Sequence, residues 1–247
     1  MRAIAILGLV ALSACADVNR LRDAQEAFSR AAEIENRQRL ADRAVSGGFD
    51  EAAESTSARA AYGAALLELE AIDGKGKAAL EADQLWGTAL ALRALCEWRL
   101  GLHDRAVASA GEAAKTGDAL GTRDRAMMAA LPGLVMADQL FAKTERKRRG
   151  LPGGDWEAAQ ALGAKSIEII EAARKDVDAE HPLRGYLYQA QLAAWRNLRQ
   201  AHGAWNNGKD FLIDHPLRIQ AKACFDDFAA GGNNPRAVEF WKGRGGF

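Results

Sequence analysis

The chain is poor in what breaks helices and in what staples folds. Five prolines in 247 residues leave long uninterrupted stretches, and proline is the residue a helix interior tolerates least, at about 3 kcal/mol. Three cysteines, Cys15, Cys96 and Cys224, are too few for a disulfide framework. Net charge is absent: 33 Lys and Arg balance 33 Asp and Glu, so no overall field draws the chain to phosphates, and no nucleic-acid partner is expected. Sustained alternation of apolar and polar residues is missing too, which argues against strands. What remains is helix-forming material. Alanine occurs 53 times and the hydrophobic fraction is 49%, enough for a packed core in one large or two small domains. An all-α fold is expected.

The first twenty residues carry the most specific signal. Met1-Arg2 is positive, Ala3 to Ala14 is an uncharged stretch of twelve residues, and Cys15 follows before the first acid, Asp17. As a helix that stretch rises about 18 Å, short of a hydrocarbon core of about 30 Å. It has the layout of a cleavable secretory signal. The tetrapeptide Leu12-Ser13-Ala14-Cys15 resembles the lipobox of bacterial lipoproteins. That resemblance implies a signal peptide over 1–14, recognised by its peptidase through Leu12, Ser13 and Ala14. It also implies acylation of Cys15, palmitate being the typical chain. With Ala16 rather than Asp next in line, it further implies sorting to the outer membrane, periplasmic face, with the inner membrane as the other destination. Several acyl chains at about 0.8 kcal/mol per buried methylene would hold the protein there.

The rest reads as a row of helices. Asp17 to about Ser46 is amphipathic and ends at Gly47-Gly48. A second helix runs from Phe49 to about Ile72, a third from about Lys77 to Leu100, and a fourth from His103 to about Thr116. Thr122 to Arg146 should be kinked or split by Pro132-Gly133. The basic, glycine-rich stretch 147–154 is the best internal boundary. It separates N-terminal hairpins over 15–146 from C-terminal hairpins over 155–247, packed on the first part. Asp155 suits an N-cap, and Pro182 and Pro216 suit first helical turns.

Two copies of a glycine-then-alanine pattern stand out. Gly101 is followed by Ala106 and Ala113, and Gly48 by Ala53 and Ala60. They resemble the centre of a tetratricopeptide repeat, where a glycine closes one helix and small residues let the next approach it. The resemblance implies stacked antiparallel helical hairpins forming an α-solenoid. The glycines lie 53 residues apart rather than the 34 of a regular repeat. The tetrapeptide His-Pro-Leu-Arg does recur at 34, at His181 and at His215.

Chemistry is harder to find. No zinc-ligand spacing, nucleophile elbow or phosphate loop occurs, so neither an enzyme nor a cofactor is expected. Asp226-Asp227 reads as a solvated pair, and Arg146 to Arg149 as a solvated loop that could touch anionic lipid. Cys96 and Cys224 could pair or stay as buried free thiols. Trp195, His202 and Trp205 share one helical stripe and could line a pocket or groove, while Trp241, with Phe240 and Phe247, could dock on this chain or on a partner.

These readings converge on a membrane-anchored lipoprotein. Its helical surface would bind an envelope protein, as a scaffold or assembly factor in the periplasm. The alternative is a solute-binding component of a transporter, with an apolar pocket around Trp195, His202 and Trp205.

Overall fold

The computed structural model describes residues 17–37, 56–72, 74–231, 233–244 and 246, and every regular element among them is helical. The helices are α1 (17–37), α2 (Thr56–Glu70), α3 (Gly74–Ala82), α4 (Trp86–Arg99), α5 (His103–Ala114), α6 (Thr122–Arg148), α7 (Trp156–Lys175), α8 (Pro182–Trp205), α9 (Pro216–Ala230) and α10 (Pro235–Arg244). A single 3-10 turn, Gly117–Ala119, precedes α6. The chain forms two compact units, Met1–Asp124 and Arg125–Phe247, dividing in the first turn of α6. Of the stretch 147–154, which lies inside the second unit, the first two residues are the last of α6 and the rest belongs to the connection from α6 to α7. Leu12, Ser13, Ala14 and Cys15, and the pattern copy from Gly48 to Ala53, lie outside the described residues.

In the first unit α4 and α5 form a tight hairpin. Gly101 sits at φ 78°, a left-handed conformation that glycine adopts without a Cβ penalty. There the Leu102 N–H reaches the Glu97 carbonyl at 2.8 Å and the Gly101 N–H the Trp98 carbonyl at 2.9 Å, the paired bonds of a Schellman closure. Beyond that turn Ala106, Ala110 and Ala113 are buried, as the small-residue pattern requires. The expected helix over 77–100 is instead two helices. Residues 83–85 close α3 with the same pair of bonds, Leu85 N–H to Leu80 at 2.7 Å and Gln84 N–H to Glu81 at 3.1 Å. Here Gln84 takes the left-handed position, at φ 58°. Leu80 and Leu85 flank the turn in one apolar cluster, the contact that usually accompanies this closure. With neither glycine nor proline present, the sequence carries no visible break.

That cluster joins Leu21 and Ala24 of α1, Leu66 and Leu69 of α2, and Leu92 and Cys96 of α4. Each fully buried leucine contributes about 1.5–3 kcal/mol by leaving water. A carboxylate crosses the same packing. Glu97 is fully buried and accepts from Arg93 Nε at 3.0 Å, Arg105 Nε at 3.0 Å and Ser109 Oγ at 2.6 Å. A buried charge is tolerable only when paired and hydrogen-bonded in this way. Arg105 also pairs with Glu70 of α2, so one network ties α2, α4 and α5. A second tie joins α1 to α2 and α4: Glu35 accepts from Tyr62 Oη at 2.9 Å and from Arg99 Nη2 at 2.5 Å. Burial and the neighbouring Glu35 carboxylate raise the Tyr62 phenol well above its ordinary value.

In the second unit α6 runs unbroken through Pro132. Pro132-Gly133 marks a helix contact, not a split. A Cβ on Gly133 would stand 2.9 Å from Ile170 Cγ1 and 2.9 Å from the Ser166 carbonyl of α7, and the Gly133 carbonyl accepts from Ser166 Oγ at 2.7 Å. Gly163 of α7 does the same service between Leu140 of α6 and Leu198 of α8, whose nearest atoms would stand 2.9 and 2.7 Å from an added Cβ. Asp155 caps α7, accepting from the Ala158 N–H at 2.7 Å. Trp241 is buried in its own chain, clustered with Tyr188, Leu192, Cys224 and Phe228. Cys96 and Cys224 are both free and buried, and burial pushes each thiol up to about 12.

Candidate functional site

The one sequence-defined pocket candidate is in the second unit, and the fold does bring its residues together. Trp195, His202 and Trp205 lie on α8 at intervals of seven and three, which places them along one face. Trp195 is buried, while His202 and Trp205 are half-buried. At their centre stands Phe211, from the connection between α8 and α9. Its ring stacks on His202 with centroids 4.1 Å apart and meets Trp195 at 5.4 Å. Trp156, the first residue of α7, closes the group at 5.1 Å from His202, 6.2 Å from Phe211 and 6.4 Å from Trp205. The aromatic box therefore holds a side chain of this protein, and a solute entering it would have to displace Phe211.

Polar groups fix the box from outside. The carbonyl of Lys209 accepts from His202 Nδ1 at 2.9 Å, so that nitrogen carries the proton. Trp205 Nε1 donates to the Gly154 carbonyl at 3.1 Å, with Lys147 Nζ 5.8 Å above its ring. Phe211 is held at both ends: its N–H donates to Asp210 Oδ1 at 2.9 Å and its carbonyl accepts from Arg218 Nη1 at 2.8 Å. Asp210 in turn takes two bonds from Arg199 Nε, at 2.8 and 2.9 Å, and one from Nη2 at 2.5 Å. This bidentate contact, chiefly, holds the Asp210 carboxyl below the usual aspartate range. Within the basic run Arg146 to Arg149, Arg148 pairs with Glu145 at 2.7 Å and Arg146 Nε donates to the Pro152 carbonyl at 3.2 Å.

The repeated tetrapeptide turns out to be a helix start, used twice. His181 Nδ1 accepts from the Leu183 N–H at 3.1 Å and His215 Nδ1 from the Leu217 N–H at 3.3 Å, each supplying one of the acceptors that a helix N-terminus lacks. The offset of 34 spans one helix and one connection, α8 with 206–215, whereas a tetratricopeptide repeat places two helices in that length.

A polar cluster that the sequence did not announce lies where α7, α8 and α9 meet. Arg174 is buried, lies 4.0 Å over the Tyr188 ring and donates from Nε to Gln191 Oε1 at 3.0 Å. Glu171 accepts from Gln191 at 3.4 Å, from Gln220 at 2.5 Å and from Lys175 at 2.7 Å. The Lys175 bond, foremost, keeps the Glu171 carboxyl below its ordinary range. An ionised, donor-saturated glutamate beside a stacked arginine is the chemistry of a structural ion network, not of a proton donor poised near neutrality. Among the described residues no group of His, Cys, Asp or Glu converges as metal ligands, and no helix is long and apolar enough to cross a membrane.

Sequence reasoning overlooked Phe211 and Trp156, because they come from outside the α8 stripe. The repeated tetrapeptide was the available signal: it marks the clamp that sets Phe211 in place. Comparison of the chain with protein-family models, with curated proteins and with solved structures finds no match.

Proposed function

We propose that the protein is a bacterial lipoprotein, acylated on Cys15 and held at the periplasmic face of the outer membrane, and that its helical body is a scaffold or assembly factor for an envelope complex. The observation that carries this reading is Leu12-Ser13-Ala14-Cys15 behind one positive charge and twelve uncharged residues, the layout of a lipoprotein signal. The way the body uses its polar groups supports the second half. Glu97, Glu35, Glu171 and Asp210 are each engaged in ties between helices or between a helix and its connection. Helices packed through buried alanines and close-approach glycines leave broad outward faces, on which a partner can be bound without chemistry.

Two experiments test the two halves. Cys15→Ala should release the chain from the membrane fraction or leave it unprocessed; unchanged membrane retention of a processed chain would refute the anchor. Cross-linking followed by purification in detergent should recover one specific envelope protein, and repeated recovery of the chain alone would refute the scaffold.

A further inference from the structure

The two His-Pro-Leu-Arg helix starts share one construction but present different tips. In each, a buried apolar residue offers its carbonyl to the arginine seven positions on: Val177 to Arg184 Nη1 at 2.5 Å, Phe211 to Arg218 Nη1 at 2.8 Å. The histidine N–H then donates three residues back, to Asp178 at 3.0 Å and to Leu212 at 3.1 Å. Between these fixed points the first turn carries Asp178-Ala179-Glu180 and the second Leu212-Ile213-Asp214. The first turn demonstrates that the geometry requires no apolar residue. Yet Leu212 is 73% exposed, Ile213 82%, and Ile219, where the sister helix has Gly185, 57%. Large aliphatic side chains held in water by a turn pinned at both ends point to something outside the chain.

We infer that the Leu212-Ile213 tip, with Ile219, inserts into the headgroup and acyl boundary of the bilayer, and so orients the second unit at the membrane. The inference rests on the reading that the chain is membrane-attached, and it names the surface that faces the lipid. The chemistry favours lipid over a protein groove. Protein hot spots are rich in Trp, Tyr and Arg and poor in Leu, and the tip is purely aliphatic. A convex tip needs no complementary cleft in a deformable medium. The flanks carry the cations Lys209 and Arg218, while Asp210 is matched by Arg199 and Asp226 by Lys222, each at 2.5 Å. Asp214 is the acid at the shoulder, which confines the tip to the interfacial layer. Two side chains bind a bilayer weakly alone, but on a tethered protein the membrane is always at high effective concentration, and orientation follows.

The test replaces residues 1–15 by a histidine tag and holds the chain on phosphatidylethanolamine and phosphatidylglycerol vesicles doped with nickel-chelating lipid. It therefore does not depend on acylation of Cys15. An environment-sensitive fluorophore is placed at Ile213→Cys or, in the sister turn, at Ala179→Cys; the buried Cys96 and Cys224 stay unlabelled. Lipid-borne bromine should quench position 213 at least threefold more than position 179, and equal quenching would overturn the inference. The double variant Leu212→Asp, Ile213→Ala copies the sister turn, so the melting temperature should hold while bromine quenching of a fluorophore at Ile219→Cys on the nickel-tethered chain drops severalfold; unchanged quenching would also overturn it. A photo-cross-linker at position 213 should yield lipid adducts in cells. A discrete protein adduct instead would overturn the lipid assignment in favour of a protein partner.

Discussion

The two units close their cores with different materials. Met1–Asp124 packs aliphatic side chains around a carboxylate: Leu80, Leu120, Ala24, Ala106 and Ala113 are all but fully buried, and the buried Glu97 and half-buried Glu35 bind helix to helix through arginine, serine and tyrosine. Arg125–Phe247 relies on rings: Trp195, Trp241 and Phe228 are its largest buried side chains, with Phe211 nearly as buried. Where alanine lines a contact, as on α5 at Ala106, Ala110 and Ala113, there is no room for growth and overpacking is the limit. An aromatic core stakes much more on each residue and is limited by cavities.

That contrast can be broken at single positions. The largest expected effect is Phe211→Ala, which empties the box between Trp195, His202 and Trp156 and should destabilise the protein by about 3–5 kcal/mol in denaturant titration. A loss under about 1 kcal/mol would mean that the box collapses without Phe211. In the first unit the sensitive change is enlargement. Ala113→Leu should cost about 1–3 kcal/mol by overpacking, whereas Ala114→Leu, one residue on and exposed, should stay close to neutral. Equal effects at the two positions would remove the small-residue account of the α4–α5 hairpin.

Smaller effects sharpen the picture of the second unit's connections. His215→Ala removes the α9 cap and should cost about 1 kcal/mol, and His181→Ala the same at α8, while His→Asn at either site should restore most of it. If Asn and Ala lose equally, the imidazole acts by packing on Phe211 and not by capping. The smallest effect is the pH dependence of the 206–215 connection. Arg199 holds the Asp210 carboxyl low, so its contribution is fully present above the ordinary aspartate value of about 3.9 and is lost as pH falls through the lowered one. Both side chains are about one-third exposed, which keeps the contribution small. The protection factor of the Phe211 amide, its exchange rate relative to the intrinsic rate at the same pH, should fall in acid, and Asp210→Asn should show the lower protection already at neutral pH.

The helical class and most of the elements were legible in the sequence because glycine, proline and aspartate sit where helices begin and end. Gly101, Asp155 and the two His-Pro starts are local devices, and local devices can be read. Gln84 could not, because no glycine marks its left-handed turn and the Leu80 and Leu85 beside it are held by packing with Leu21, Leu66, Leu69 and Leu92 from other helices. At Pro132 only the split is overturned: α6 continues, and Gly133, tucked against Ile170 and Ser166, makes a helix contact there. The 34-residue offset matched a repeat length by number, while its content was one capped helix. Trp195, His202 and Trp205 were read from one face of α8; the ring at the centre of the box came from a connection with no periodicity to betray it.

Acylation of Cys15 is the central claim, and intact-mass analysis of the mature protein purified from membranes tests it most directly. The expected result is a chain beginning at Cys15, heavier than its sequence by the mass of its attached acyl groups. A chain that retains Met1, or one cleaved near residue 15 with an unmodified cysteine, would contradict it.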